Sequence, residues 1–153
     1  MDFEALRAGL AGAIPFNGHL GLELVEVGPG RGVVRLPDRP ELHNHVGTQH
    51  AGGLFAAGEF ASGGAFIGAF ADHLANVTPL ARSAEIEYRK LARGEITATG
   101  RLDDDVAGLL QKLEKDGKVE FEIDVKLADA SGAVVATMTV AWHVRRNAPA
   151  QSR

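Results

Sequence analysis

The chain has 153 residues, 45% of them hydrophobic and 24% charged, with a formal net charge of −4 and no cysteine. That length suits one domain with a real core. The missing cysteines exclude disulfides, thiolate metal sites and a cysteine nucleophile, and the acidic balance without a long basic run argues against a nucleic-acid partner.

Phe3, Leu6, Leu10 and Ile14 recur at helical spacing, and Pro15 is expected to stop that first helix. Leu20 to Val27 is rich in strand formers, Gly28-Pro29-Gly30 signals a turn, and Gly32 to Leu36 reads as the returning strand. Pro37 to Gln49 is a polar loop. Ala51 to Leu74 is the longest expected helix, apolar almost all round and therefore buried on most sides. Gly58, Gly63, Gly64 and Gly68 each weaken it by about 1 kcal/mol relative to alanine, which points to close approach of a neighbouring backbone.

Past Leu74 the period changes to two. Ala84, Ile86 and Tyr88 alternate with polar neighbours, as do Ile96 and Ala98 after a turn at Arg93-Gly94. Val106, Leu109, Leu110 and Leu113 mark a short helix over Asp105 to Lys115, ended by Gly117. Val119 to Leu127 and Val134 to Val144 alternate without a break around a turn at Asp129 to Gly132. The order is helix, two strands, one long buried helix, then four strands with an inserted helix. It implies an α+β domain, residues 1–146, in which an antiparallel sheet curls around the long helix. The polar tail, 147–153, is expected to fray.

Gly53 to Ala71 is the one long apolar run, but it carries Glu59 near its middle, which costs roughly 2.5–3.5 kcal/mol on membrane insertion. A buried soluble helix is expected, with no membrane partner. The acidic start Met1-Asp2-Phe3-Glu4 is unlike a secretory signal, so the expected location is cytoplasmic.

Glu59 is the only carboxylate inside the buried helix, and a buried carboxylate must be paired, hydrogen-bonded or protonated. That makes it a candidate base or nucleophile. Amides at a helix start are unpaired donors at a positive dipole end. Those of Ala51 and Gly52 could stabilise an oxyanion formed when a carbonyl is attacked. Ala51 and Glu59 lie about 12 Å apart along one helix, too far to touch one carbonyl together. If both act on one substrate, Glu59 must come from a second subunit whose helix runs alongside in the opposite sense, giving a two-fold dimer with two equivalent sites.

The stretch from Asn44 to Glu59 (NHVGTQHAGGLFAAGE) resembles the active-site segment of hotdog-fold acyl-CoA thioesterases of the phenylacetate-degradation type. That family has an Asn in the loop, His-Gly-Gly at the helix start, and an acid eight residues after the first of those glycines. Asn44, His50, Gly52 and Glu59 match these positions; Ala51 stands where the family has Gly but still donates its N–H. Pro15-Phe16-Asn17 before Leu20-Gly21-Leu22, the segment Tyr88 to Gly94, and Trp142 are similar to hotdog landmarks. The inserted helix and Trp142 to Arg146 resemble a less characterised, thioesterase-like hotdog group. The resemblance implies a hotdog fold, hydrolysis of an acyl-CoA substrate without cofactor or metal, and a site shared across a homodimer, a dimer of dimers being the larger form it admits. It further implies that Asn44 orients water or the thioester, that His50 shapes the site, and that Arg89, Lys90 and Arg93 meet the phosphates of coenzyme A.

Other readings stand beside these. His43, His45 and His50 could ligate zinc, though their spacing is loose. Thr48 and Ser62 lack the Gly-x-Ser-x-Gly setting of a nucleophile, although Ser62 could hydrogen-bond near Glu59. His45, fourteen residues before Glu59, would suit a hotdog hydratase or dehydratase, but the expected proline-glycine motifs are missing. A non-catalytic acyl-CoA-binding module is the third option; no helix-turn-helix is appended. Phe55, Phe60, Phe66 and Phe70 are candidates for the acyl pocket or the core.

Overall fold

The structure, a computed structural model, describes residues 1–149. The first helix, α1 (Phe3–Leu10), is capped by Asp2, whose side chain accepts a hydrogen bond from the Ala5 amide at 3.0 Å. It ends short of the expected Ile14, where the chain turns through Gly12 at φ 76°. Pro15, expected only to stop a helix, instead starts one, α2 (Pro15–His19). At the first helical position its missing N–H has no intrahelical partner to lose.

The strand expected from Leu20 begins later, as β1 (Glu23–Gly28), because the Leu22 amide is still engaged by the Asn17 carbonyl at 3.0 Å. β1 pairs antiparallel with β2 (Arg31–Leu36). The long helix, α3, runs Ala51–Ala69 rather than to Leu74. Phe70, fully buried, stacks on Phe66 at 4.8 Å and is its last apolar anchor. Beyond it the helix gives way, and Ala71–Asn76 winds as 3-10 turns with only Leu74 packed against the core.

β3 spans Val77–Tyr88, starting well before the expected Ala84. Pro79 and the register shift between Ala81 and Ser83 hide its first half from period-two reading. A proline is tolerated there because β3 pairs with one neighbour only, at the sheet edge. β4 (Ile96–Arg101) follows. The inserted helix α4 (Val106–Asp116) is capped by Asp105 and ended by left-handed Gly117. β5 (Lys118–Ala128) and β6 (Val134–Arg146) complete the sheet.

The six strands lie in the order β1-β2-β4-β5-β6-β3, all antiparallel. Val119, Phe121, Ile123, Val125 and Leu127 of β5 all turn inward and are buried, as the alternation requires. The sheet curls so that β1, β2, β4, β5 and β6 all contact α3. The architecture is the expected α+β arrangement of a sheet wrapped around one helix.

That contact is made at backbone distance. A Cβ on Gly32 would fall 2.6 Å from the Ala65 nitrogen, and one on Gly68 would drive into the Gly28 carbonyl. The glycines of α3 therefore admit the chain's own sheet: Gly64 meets Gly32, Gly68 meets Gly28 and Gly58 meets Met138. Gly63 meets only the Trp142 ring, at 3.9 Å, and Gly52 only the His50 ring. Of the tail expected to fray, Asn147 is tied to Asn76 and Thr78 by hydrogen bonds of 2.8 and 2.6 Å, and 150–153 lie outside the described residues.

Candidate active site

The sheet covers α3 on all but one stripe. Apart from Gly52 and Ala69 near its two ends, the positions of α3 left exposed or half-buried are Ala51, Phe55, Glu59, Gly63 and Ile67, four residues apart. Repetition every four residues keeps them on one helix face. Glu59 sits in the middle of that stripe, on the wall of a cavity of about 200 Å³. Phe60, Phe66 and Trp142 line it from the core side, with Phe66 and Trp142 stacked at 5.8 Å. Leu10, Ala13 and Ile14, from the end of α1 and the turn after it, close the outer side.

Among the described residues no other charged or polar side chain lines this cavity. Burial alone raises the Glu59 pKa above the ordinary 4.5. A carboxyl in such a setting holds a proton more tightly than a solvated one, the property a general base needs. Ser62, one turn on, is fully buried. Its hydroxyl donates to the Glu59 carbonyl at 2.6 Å and accepts from Trp142 Nε1 at 3.1 Å. Ser62 thus pins the backbone of Glu59 to β6 rather than touching its carboxyl.

At the helix start the two expected oxyanion donors differ. His50 is the N-cap, and its Nδ1 accepts the Gly52 N–H at 2.8 Å. The Ala51 N–H has no acceptor among the described residues. The His50 ring must therefore swing aside before Gly52 can serve a ligand, whereas Ala51 is ready. Tyr88, at the end of β3, donates its hydroxyl to the Ala51 carbonyl at 3.1 Å. It is a contact to the site that sequence periodicity could not find, because it joins an edge strand to a helix start 37 residues away.

Asn44 builds the loop before the helix. Its amide donates to Thr48 Oγ1 at 2.8 Å and the Gln49 carbonyl at 3.3 Å, and its oxygen accepts the Val46 and Thr48 amides. Both amide hydrogens are thereby used within the loop, an Asx-type arrangement. Thr48 is buried. Gln49, also buried and not expected to matter, ties this loop to the next: its Nε2 donates to Pro37 and Gly94 carbonyls at 3.0 and 2.8 Å. Through Gln49 the loop carrying Arg89, Lys90 and Arg93, all exposed, lies against the start of α3.

The three histidines do not converge. His43 pairs with Asp38 at 2.7 Å, His50 caps α3, and His45 is exposed. Among the described residues no three His, Asp or Glu side chains come together as a metal site. A larger groove of about 1020 Å³ lies between α4 and the end of β6, but its Arg146 and Glu114 pair with each other at 2.9 Å. No described helix is long and apolar enough to cross a membrane.

A curled six-stranded antiparallel sheet around one helix is the hotdog fold of the thioesterase superfamily. Within it, the chain belongs to the family described as a domain of unknown function (DUF4442), whose model matches residues 4–144. A Pseudomonas aeruginosa protein of unknown function, titled a probable thioesterase, is 28% identical over 94% of this chain and 95% of its own, with a TM-score of 0.84. The PaaI protein of the phenylacetic acid degradation operon of E. coli shares the fold at 16% identity, covering 92% of this chain and 90% of its own, with a TM-score of 0.71. A mutant thioesterase from Staphylococcus aureus shares it at 17% identity, covering 86% and 99%, with a TM-score of 0.68. No curated protein matches the sequence.

Proposed function

We propose that the protein hydrolyses an acyl-CoA thioester to the free acid and CoA. The observation that carries this reading is Glu59: one unpaired carboxyl, raised in pKa by burial, on the wall of an otherwise apolar cavity. As base, its carboxylate takes a proton from water while the water oxygen bonds to the thioester carbon. As nucleophile, it attacks that carbon directly and the resulting anhydride is then hydrolysed. In either case the carbonyl oxygen becomes an oxyanion, and the Ala51 N–H is the donor positioned to receive it. Collapse breaks the C–S bond, and CoA leaves as the thiolate or, protonated, as the thiol. Gly52 joins as second donor once His50 releases it, Asn44 acts by holding the loop, and Arg89, Lys90 and Arg93 receive the CoA phosphates.

One subunit does not bring Ala51 and Glu59 to the same carbonyl, since about 12 Å of helix separates them. The exposed start of the α3 stripe, at Ala51 and Phe55, and the unpaired outer edge of β3 supply the surface for a second copy. Phe55, Leu80 and Tyr88 are exposed there at 38, 54 and 47%, a set of large apolar side chains that association would bury. In this homodimer each site takes its helix start from one subunit and Glu59 from the other.

Glu59→Gln tests the assignment. CoA release, followed by thiol detection, is expected to fall about 10²–10⁴-fold with the circular dichroism spectrum unchanged. Turnover equal to wild type on the best substrate would remove Glu59 from the reaction.

A further inference from the structure

The cavity beside Glu59 carries information about the acyl group, an inference that rests on the thioesterase reading and deepens it. Its volume of about 200 Å³ is below the roughly 300–1,000 Å³ of drug-sized ligand sites. A methylene fills about as much space as a water molecule in the liquid, roughly 30 Å³. The cavity therefore holds an acyl group of about six to eight carbons once its carbonyl end is left outside. Its lining offers no partner for a distal charge. Apart from Glu59 the walls are hydrocarbon, aromatic rings and glycine, so a terminal carboxylate would be buried unpaired beside another carboxyl.

The wall that α3 contributes to this cavity is Glu59, Phe60, Gly63, Phe66 and Ile67, of which Gly63 alone has no side chain. Gly63 lies one turn beyond Glu59 on the open stripe and lines the cavity. Unlike Gly64 and Gly68, it does not meet the backbone of the sheet. A Cβ there would have the Trp142 ring as its nearest neighbour, at 3.9 Å, an ordinary van der Waals distance. A side chain at this position would thus displace ligand rather than backbone. Glycine costs the helix about 1 kcal/mol against alanine, and here the space it leaves belongs to the cavity. We propose that Gly63 is the residue that sets acyl size, and that the substrate class is CoA thioesters of uncharged, apolar acyl groups of about six to eight carbons.

Trp142, the one tryptophan of the chain, lines the same cavity. Its emission reports occupancy directly, whether or not turnover follows. Acetyl-, hexanoyl-, octanoyl-, palmitoyl- and succinyl-CoA, with CoA alone as reference, are titrated against wild type, Gly63→Ala and Gly63→Leu. CoA release is measured in parallel. Hexanoyl- and octanoyl-CoA are expected to shift the emission of wild type, and succinyl-CoA and CoA alone to leave it in place. Gly63→Leu is expected to lower the octanoyl-to-acetyl ratio of kcat/KM, or of affinity if nothing is hydrolysed, by about 10–200-fold, with Gly63→Ala between. A preference for palmitoyl- or succinyl-CoA, a shift as large with CoA alone, or a length profile that neither variant changes would overturn the proposal. Absence of CoA release with every thioester would instead overturn the hydrolase reading, and the emission titration would still decide the cavity. If Gly63→Leu fails to fold, the wild-type profile and Gly63→Ala carry the decision.

Discussion

Glu59 is lodged among Phe60, Phe66 and Trp142 with no side chain to share its charge, and burial raises its pKa above 4.5. A carboxyl whose pKa rises on folding is held most favourably while protonated. The folded state binds the proton that the unfolded state has already lost, so stability falls as pH climbs from the ordinary value through the elevated one. The melting temperature of Glu59→Gln is therefore expected to gain on wild type as pH rises through that window, and to keep the gain at neutral pH. Activity is expected to move the other way. The carboxylate must be ionised to act, so log(kcat/KM) should climb with unit slope and level off at the free-enzyme pKa, above 4.5. A residue that lowers stability at the pH where it is active belongs to function rather than to the core. A profile flat down to the ordinary carboxylate range would contradict this.

Along α3 the glycines divide by what they face. Gly68 abuts the Gly28 carbonyl, which is backbone and cannot yield cheaply. Gly68→Ala is expected to destabilise by about 1–3 kcal/mol, seen as a fall in melting temperature of roughly 2–4 °C per kcal/mol for a chain of this size. Gly63→Ala meets only the edge of Trp142 at 3.9 Å. It should recover helix propensity and be neutral or stabilising by up to about 1 kcal/mol. Opposite signs for the same substitution five residues apart would show that the helix meets the sheet on one side and a cavity on the other. Equal destabilisation would mean that Gly63, too, is held by packing.

At the scale of the whole molecule, the proposed shared site requires a second copy, and it can be tested with complementary variants. Ala51→Pro removes the candidate oxyanion donor with little harm to the helix. Proline suits the first helical position, and His50 before it already has ψ 141°, the extended conformation that a following proline requires. Ala51→Pro and Glu59→Gln are each expected to be inactive. Mixed and allowed to exchange subunits, they should regain about a quarter of wild-type activity, since half the dimers are mixed and each then holds one intact site of two. A mixture no better than its components would place the whole site within one subunit.

The order of the strands and long helices, the inward faces of β5 and β6, and the loop-to-helix layout from Asn44 to Glu59 could be read from the sequence. Each is local: a period of two or 3.6, a turn residue, or a fixed spacing along one helix. The first half of β3 could not, because Pro79 and a bulge break the period and only pairing with β6 makes it a strand. The end of α3 could not either, since Phe70 finishes it by stacking on Phe66 and Phe121. The sequence singled out Glu59 as a buried carboxylate but could not say what surrounds it. Residues from α1, α3, β3 and β6 form that cavity, and their convergence depends on the curl of the sheet. Tertiary structure likewise decided that Gly52 is capped by His50 while Ala51 is not. Periodicity tells which way a side chain faces, but only the closed fold determines what it meets there.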